Sequence, residues 1–452
     1  MIATLRDSFK IGELRSRILF TLAMIAVYRL GSHIPTPGID SAALAHYFGQ
    51  QGGGILGFLD MFSGGALKRF SIFALGIAPY INASIIMQLL VYVVPQLEKL
   101  AKEGTEGRQK ISQYTRYGTI FIGAIQAFGM SFMLANAGGA GVLTPYMKEH
   151  FARFAILTIL TLTAGTAFIM WLGEKITEKG IGNGISLLIF VGIVASLPSA
   201  IVQTYRVFSG DALFYPKVLI ILFFTVAVTA AVIWIQDGVR KIPVQYAKRV
   251  VGRRVYGGQN TYIPLRINQA GVIPIIFASS ILLFPGLITN FFSHYFSMDS
   301  FMGRVTNFIN TVLGPSHWVY LSLYCLLIIF FSYFYTAITF NPKDLADNMK
   351  KYGGFIPGVR SGRPTAEYID RTLIRITLVG SIFLAIIAVI PNILISWANV
   401  PFYFGGTALL IVVGVGLDTI KQLESHLVTR NYDGFLKRKA GCLNKRGREK
   451  SP

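Results

Sequence analysis

The sequence predicts an all-α protein that crosses a membrane many times. Of its 452 residues, 53% are hydrophobic and only 14% are charged, against about 25% charged residues in a soluble globular domain. Ten stretches are long and apolar enough to cross a bilayer, since a helix of about 20 apolar residues spans the hydrocarbon core. This composition argues against a disordered chain, a coiled coil and a disulfide scaffold. The two cysteines, Cys325 and Cys442, are expected at different depths and therefore unpaired.

Nine of the ten predicted spans carry no charged residue. They are Phe70–Leu97, Tyr117–Ala135, Phe154–Leu172, Gly184–Val202, Val218–Gln236, Ile267–Thr289, Trp318–Phe340, Ile376–Ala398 and Val400–Leu417. The first span in the chain, Ile18–Ile34, is interrupted by Arg29, whose side chain can reach the headgroups from a helix end. The second span is longer than a bilayer requires and contains Pro79, so we expect part of it to lie outside the hydrocarbon core or to kink. The last two spans are nearly continuous and predict a tight hairpin.

The distribution of basic residues predicts the orientation of the chain. Lys and Arg number 42 against 21 Asp and Glu, which gives a net charge of +21. Most of these basic residues lie in the two termini and in the connections on the same side of the membrane. Because cytoplasmic loops are enriched in Lys and Arg, both termini should be cytoplasmic. The positive charge is therefore explained by topology, and it does not by itself indicate nucleic-acid binding.

The ten spans divide into two halves of five at about residue 210. Five is an odd number, so the second half enters the membrane in the opposite sense to the first. Inverted halves are a common plan of transporters, with the functional path at their interface. We assign residues 1–210 to the N-terminal half, 211–420 to the C-terminal half and 421–452 to a basic cytoplasmic tail. The halves share no convincing similarity at the residue level, so the symmetry rests on the span count.

Signals for enzymatic chemistry are missing from the sequence. No phosphate-binding loop of the form GxxxxGK[ST] and no HExxH zinc motif occurs, and the six histidines are scattered. We therefore expect no catalytic residues, no cofactor and no metal site. The spans also contain no Asp or Glu, which are the usual groups for binding a driving ion at depth. This absence favours a passive path that is powered from outside the chain.

A short apolar segment lies between the first two spans. Residues 52–69 read GGGILGFLDMFSGGALKR and are too short to cross the membrane. The segment is either an ordinary external loop or a short re-entrant helix that folds back into a cavity, because irregular backbone at membrane depth must be buried in protein or line water. The residues themselves leave these two alternatives equally open.

Isoleucines and polar residues recur inside the spans. Ile77 and Ile81 are four residues apart and share one helix face, and Ile185 and Ile189 repeat the spacing. Polar residues at depth are Asn82, Gln88, Gln126, Asn268 and Gln269. Isoleucines in membrane helices usually face lipid or the core, and buried amides serve packing as often as function.

Two connections on the cytoplasmic side are larger than a simple loop. Alternating residues around Gly257-Gly258, in the connection 237–266, predict a β-hairpin with Arg253 and Arg254 near its turn. The connection 341–375 contains GGFIPGVRSGRP, in which Gly and Pro predict a rigid turn around Arg360 and Arg363. Arginines on stiff projections suit anionic partners such as RNA phosphate or acidic protein surfaces, although a simple positive-inside bias also explains them.

Several motifs closely resemble one known family. The stretches FSGGALKRFSIFALGIAPYINASIIMQLL and WLGEKITEKGIGNGISLLIF are similar to the two signature sequences of the SecY family, the channel subunits of bacterial protein translocases. The motifs NQAGVIPIIFASS, FNPKDLADN, GFIPGVR and VPFYFGGTALLIVV follow in the family's order. The resemblance runs from about Gly12 to Asp418, and the tail after Lys421 matches least.

The resemblance implies roles for particular residues around a central pore. It places an apolar pore ring on Ile77, Ile81, Ile185, Ile189, Ile276 and Ile411. It places a plug at about residues 55–69, with Met61, Phe62, Ser63, Gly64, Gly65, Ala66 and Leu67 at its centre. A lateral gate between the halves would include Asn82, Gln126 and Asn268 on its helices. Arg253, Arg254 and Arg360 would contact partners.

The resemblance also implies a function and an assembly. We expect a protein-conducting channel in the cell membrane that passes unfolded chains and releases transmembrane helices sideways into lipid. Expected partners are the SecE and SecG subunits, the SecA motor, the ribosome, signal peptides and nascent chains. The alternatives are a small-solute carrier built from inverted repeats and a polytopic intramembrane enzyme. The missing intramembrane carboxylates count against the carrier, and the missing pairs of catalytic residues count against the enzyme.

Overall fold

The computed structural model describes most of the chain. The described residues are 11–40, 43–44, 57, 60, 62–136, 142–208, 214–246, 249–251, 254–256, 260–292, 301–314, 317–398 and 407–427. Within them the chain is mostly helical, with a small β-structure in the second half.

The helices follow one another with short connections. In the first half they are α1 Gly12–Gly31, α2 Ala78–Val93, α3 Pro95–Lys102, α4 Thr105–Asn136, α5 Pro145–Glu149, α6 Phe151–Lys179 and α7 Gly184–Phe208. In the second half they are α8 Phe214–Gln236, α9 Ile273–Phe292, α10 Phe301–Val312, α11 Trp318–Thr339, α12 Pro342–Lys351, α13 Arg363–Ala398 and α14, residues 407–427.

Each of the ten predicted spans overlaps one of these helices. Six helices of the described chain are long and apolar enough to cross a membrane by themselves, and α2 with α3 forms a seventh candidate that is bent by 98°. The apolar part of α9, Ile273–Gly286, is shorter than a full span. The protein is therefore an all-α, multi-pass membrane protein, as the composition predicts. The connection between the last two spans, 399–406, lies outside the described residues, and α14 continues to residue 427.

The second predicted span differs from its helix at both ends, and proline explains both differences. Helix α2 begins only at Ala78, with Pro79 in its first turn, where a missing N–H group costs nothing. It stops at Val94, because the following Pro95 disfavours the helical conformation of the residue before it. Pro95 then opens α3 in the new direction. Part of the predicted span is thus irregular backbone before the helix.

Helix packing keeps the two halves distinct and joins them at one seam. Helices α4 and α6 pack on each other, α2 packs on α4, and α11 packs on α9 and α13. Across the seam, α9 contacts α2 and α4. The main apolar core is built at this seam from buried residues of both halves.

The cytoplasmic connections form one β-structure, which the sequence did not predict. Strands β1 Val239–Tyr246 and β4 Asn260–Arg266 pair antiparallel, from Val239 opposite Arg266 to Gln245 opposite Asn260. Strand β5 Gly354–Phe355, from the other large connection, adds to the free edge of β1. The two connections, which the sequence presents as separate features, therefore share a three-stranded sheet with the order β4-β1-β5.

The predicted hairpin is confirmed, but its centre is displaced. Strands β2 Arg249–Val251 and β3 Arg254–Tyr256 pair antiparallel with Val251 opposite Arg254, so the chain reverses between these two residues and not around Gly257-Gly258. Pairing through Val251 and Arg254 allows a two-residue reversal, the commonest hairpin connection.

Candidate channel constriction and gate

The six isoleucines singled out by the sequence converge from four helices. Ile77 caps the start of α2, and the N–H of Ile81 donates to its carbonyl at 3.1 Å, so the two side chains lie one turn apart. Ile185 and Ile189 occupy the first two turns of α7, where the Asn183 side chain caps the helix by accepting from the N–H of Ile185 at 3.2 Å. Ile276 and Ile411 come from α9 and α14 in the other half.

These side chains meet in one apolar cluster. Five of them are buried, from 0% exposed for Ile411 to 7% for Ile77, and all five belong to the main core. Ile185 is half-buried and packs against the same core. None of the six faces outward toward lipid, so the arrangement is compatible with a ring around a shared axis.

Two cavities lie on opposite sides of this cluster. Along α9, Val272 and Ile273, which precede Ile276, line a cavity of about 530 Å³. Ser279, Ser280 and Leu283, which follow Ile276, line a cavity of about 60 Å³. The larger cavity is polar and takes residues from both halves: Asn183, Ser186, Gln236, Arg266, Asn268, Gln269, Asp418 and Lys421. The sequence of polar cavity, apolar waist and small apolar cavity has the form of an hourglass.

The small cavity is closed by the predicted plug segment. Phe62, Ser63 and Leu67 line it together with Ile77 and Ile81. Ser63, Ala66 and Leu67 are 3%, 0% and 2% exposed. A segment buried to this extent is not an ordinary external loop, so the structure decides between the two alternatives that the residues left open. Met61 lies outside the described residues.

Hydrogen bonds within the plug segment fold it into a compact turn. The N–H of Gly65 donates to the Asp60 carbonyl at 2.9 Å, and the N–H of Lys68 donates to the Asp60 carboxylate at 2.7 Å. The N–H of Leu67 donates to the Ser63 hydroxyl at 3.1 Å. Gly64 and Gly65 have φ values of +67° and +82°, which residues with a side chain rarely adopt.

The three predicted gate residues are not all together. Asn82 of α2 and Gln126 of α4 line the small cavity next to the plug. Gln126 is 5% exposed, and among the described residues its amide nitrogen has no hydrogen-bond partner. Asn268 lies in the turn before α9, not on the helix as expected, and donates to the Gly271 carbonyl at 2.9 Å. It lines the large polar cavity on the other side of the isoleucine cluster.

The partner-facing arginines are only partly described. Arg360 is exposed on the turn between β5 and α13, and its carbonyl accepts from the Thr365 hydroxyl at 2.8 Å. Gly358 and Gly362, with φ values of +82° and +103°, flank it and fix the turn. Arg254 begins strand β3, and Arg253 lies outside the described residues.

Sequence reasoning missed the residues that hold the plug from behind. We interpreted Arg29 as an arginine that reaches the headgroups, but its guanidinium donates to the Gly64 carbonyl at 3.1 Å. Gly192 of α7, which no pattern indicated, packs against Phe62 and Gly64. The signal that could have indicated Arg29 is its position at the outer end of α1, where a basic residue is disfavoured.

Chemistry of other kinds is not visible in this part of the chain. Within the described residues, no group of three His, Cys, Asp or Glu side chains could hold a metal ion. Cys325 is free, and Cys442 lies outside the described residues.

The fold and the site define a class: polytopic membrane proteins with an apolar waist between two helical halves, sealed on one side by a folded-back segment. Among solved structures, the fold is similar to that of a protein-conducting channel, with a TM-score of 0.63 and 18% identity over 92% of this chain and 93% of that one. It is also similar to a structure of Sec61 in the canine ribosome-channel complex, with a TM-score of 0.59 and 16% identity over 92% and 93% of the two chains.

Sequence comparison identifies the family. A model of the SecY family matches residues 71–420. The chain is 47% identical to protein translocase subunit SecY of Streptomyces scabiei, over 97% of this chain and 100% of that protein. It is 48% identical to the subunit of the same name from Escherichia coli (strain K12), over 95% of each chain. The chain belongs to the SecY family.

Proposed function

We propose that this chain is the channel subunit of a protein translocase. It passes unfolded polypeptides across the membrane and releases transmembrane segments sideways into lipid. The observation that carries the proposal is the burial of six isoleucines from both halves in one cluster, between a polar cavity and a plugged one. Relatives of nearly the same length are named protein translocase subunits.

The isoleucine ring suits a polypeptide as cargo. Isoleucine is branched and stiff, so a ring of six forms a defined collar that offers no polar group to any particular side chain. Contact is therefore weak and independent of sequence, which lets a moving chain leave again. An apolar constriction also disfavours water and thereby limits ion leakage.

The plug completes the seal at rest. Ser63 and Leu67 sit beneath Ile77 and Ile81, and little space remains between them. A solved SecY structure with a TM-score of 0.59 is described as one whose plug domain stabilises the closed state and maintains a membrane seal. We assign the same role to residues 55–69 of this chain.

The seam between the halves serves as the lateral gate. Helix α9 meets α2 and α4 along it, and at its cytoplasmic end Tyr92 of α2 packs edge-to-face on Phe334 of α11, with ring centroids 5.6 Å apart. Asn82 and Gln126 line the cavity beside the seam. A seam that is held by side-chain packing can part and admit an apolar segment, and burial in lipid favours that segment's exit.

Partners supply the energy, because the chain has no nucleotide-binding loop. We assign this role to SecA or to a translating ribosome, which would contact the exposed loops bearing Arg253, Arg254 and Arg360. Relatives of similar fold are described in ribosome complexes. Only 12% of the span Val218–Gln236 is buried in this chain, which leaves a large apolar surface for the small membrane subunits SecE and SecG.

The protein lies in the cell membrane with both termini in the cytoplasm. This orientation follows from the positive-inside distribution and puts the β-structure and the polar cavity on the cytoplasmic side. The two halves, residues 1–210 and 211–420, then clamp the ring from opposite sides. Neither a small-solute carrier nor a classical enzyme is favoured, since the relatives are channel subunits.

Reconstitution tests the proposal directly. The chain is placed in vesicles with small membrane subunits, and a secretory precursor, SecA and ATP are added. Import of the precursor that depends on SecA and ATP is the expected result. Vesicles that protect no precursor, under conditions in which the Escherichia coli relative does so, would overturn the proposal.

A further inference from the structure

We propose that Tyr28 and Arg29, at the outer end of α1, tether the base of the plug and set how readily it leaves the pore. This inference rests on the proposed function and adds two positioning residues to it. The two residues are adjacent in sequence and donate hydrogen bonds to adjacent carbonyls. The Tyr28 hydroxyl donates to the Ser63 carbonyl at 3.3 Å, and the Arg29 guanidinium donates to the Gly64 carbonyl at 3.1 Å.

Topology gives no reason for a basic residue at this position. With a cytoplasmic N-terminus, α1 runs outward, so Arg29 lies at its outer end. Basic residues there oppose the positive-inside rule. Nor does the side chain simply extend away to the headgroups, because it is partly buried and bonded to Gly64. A residue that topology disfavours and that bonds the plug is best explained by the bond.

The position of Tyr28 is fixed by packing. Its side chain is 3% exposed, and its ring stacks on Phe73 with centroids 6.0 Å apart. Phe73 in turn stacks on Phe168 of α6, also at 6.0 Å. The hydroxyl is therefore held at one point, and reaching the Ser63 carbonyl requires no ordering of a free side chain.

The base of the plug fits closely between α1 and α7. A Cβ atom on Gly64 would lie 2.8 Å from the Cα atom of Gly192 and 3.0 Å from the Arg29 guanidinium. Gly192 lies three residues after the ring residue Ile189, so the same face of α7 carries the ring and meets the plug. A shift of α7 therefore reaches the ring and the plug base together.

Two further hydrogen bonds fix the chain on the far side of the plug. The N–H of Thr36 donates to the Phe70 carbonyl at 2.9 Å, and the N–H of Ile72 donates to the Ile34 carbonyl at 3.0 Å. This backbone pairing holds the segment after the plug against the segment after α1. Side-chain bonds, which can break singly, are found only at Ser63 and Gly64 among these described contacts, so the tether is the part that can be released.

A charged donor makes the tether a threshold. A hydrogen bond from a guanidinium is stronger than one between neutral groups, and more so away from water. Removing it should increase the fraction of displaced plugs by about tenfold, and removing the Tyr28 hydroxyl by about threefold.

The test uses the full chain reconstituted with its small membrane subunits. The parent for labelling carries Cys325→Ser and Cys442→Ser, with Leu67→Cys as the reporter, because Leu67 is 2% exposed at rest. Arg29→Met removes the donor, and Arg29→Lys keeps a charged donor. Arg153→Met is the matched control, since Arg153 lies at the outer end of α6 and donates to the Tyr146 hydroxyl at 2.7 Å, away from the plug. Resting ion conductance is measured, together with the reaction of the reporter thiol with an impermeant reagent added from outside.

The expected result is about tenfold faster labelling and a matching rise in conductance for Arg29→Met, with Arg29→Lys and Arg153→Met near the parent. Parental values for Arg29→Met, or equal leakage from the Met and Lys variants, would overturn the tether. If Arg29→Met does not insert, Tyr28→Phe takes its place, and parental labelling of that variant overturns the inference. Failure of the proposed function is distinct: it is a parent channel that imports no precursor.

Discussion

The protein has two buried apolar cores that differ in what encloses them. The membrane core contains the isoleucine ring and draws on both halves, with a cavity on either side. The cytoplasmic core contains Ile242, Val244, Leu265, Met349, Ile356, Ile369 and Leu373. All of these come from the second half, from β1, β4, α12, α13 and the turn after β5.

This difference indicates that the two cores do opposite mechanical work. A core shared between two bodies can part when the bodies separate, because its contacts cross the seam. A core enclosed within one body stays closed and stiffens what it supports. The membrane core is thus suited to opening, and the cytoplasmic core to holding Arg360 and the hairpin rigidly toward a partner.

The largest expected effect is at the cytoplasmic structure. Arg360→Glu should block import almost completely while the protein still inserts and remains folded, because it reverses the charge presented to an anionic partner. Lys350→Glu, an exposed charge reversal on α12 of the same structure, is the control and should retain most import. SecA-dependent import into vesicles is the measurement. Normal import by Arg360→Glu would remove this arginine from the partner surface.

The second effect tests the shared core. Ile81→Gly combined with Ile189→Gly should raise the resting ion conductance severalfold, since it opens the narrowest apolar collar to water. Ile86→Gly combined with Ile201→Gly changes the same helices at positions 47% and 60% exposed, and it should leave conductance unchanged. Conductance is measured in planar bilayers. Unchanged conductance of the first pair would argue against a waist at these residues.

A third change separates packing from pore lining. A Cβ atom on Gly414 of α14 would collide with the Val272 side chain, whereas one on Gly416 would meet no atom within 4 Å. Gly414→Ala should destabilise the protein by about 1–3 kcal/mol through overpacking of the seam. Gly416→Ala should have little effect or stabilise slightly. Thermal unfolding of the purified proteins, compared at equal detergent, tests this pair, and equal midpoints would contradict it.

The smallest effect concerns the gate. Gln126→Leu removes a buried amide nitrogen that has no partner in the described structure, so it should stabilise the closed seam by about 1–3 kcal/mol. Precursors with weakly hydrophobic signal peptides should then be imported more slowly, while strongly hydrophobic ones are affected less. Gln113→Leu on the exposed face of α4 is the control. Faster import by Gln126→Leu would indicate that the amide keeps the gate closed.

Local patterns were sufficient for the elements but not for their partners. Uncharged length predicted every span, and alternation predicted the hairpin, because both depend on neighbours in sequence. The bend after α2 needed only the known effect of Pro95 on the residue before it. By contrast, strand β5 joins β1 from a connection about one hundred residues away, and nothing local to Gly354 indicates it.

The site shows the same division. The spacing of Ile77 and Ile81 predicted a shared face, and the family motifs predicted which isoleucines form the ring. Neither predicted that Asn268 lies apart from Asn82 and Gln126, on the other side of the ring. That separation depends on where α9 starts relative to α2, which is a property of helix packing.

By itself, the amino-acid sequence determined that the chain spans a membrane, how many times and in which sense, because transfer of apolar side chains into lipid and retention of basic ones on one side are local energies that add along the chain. Only the tertiary structure decided that residues 62–67 are buried, and that Tyr28 and Arg29 bond them. A hydrogen bond between residues 35 positions apart depends on the three-dimensional path of the chain, and no period or composition encodes it.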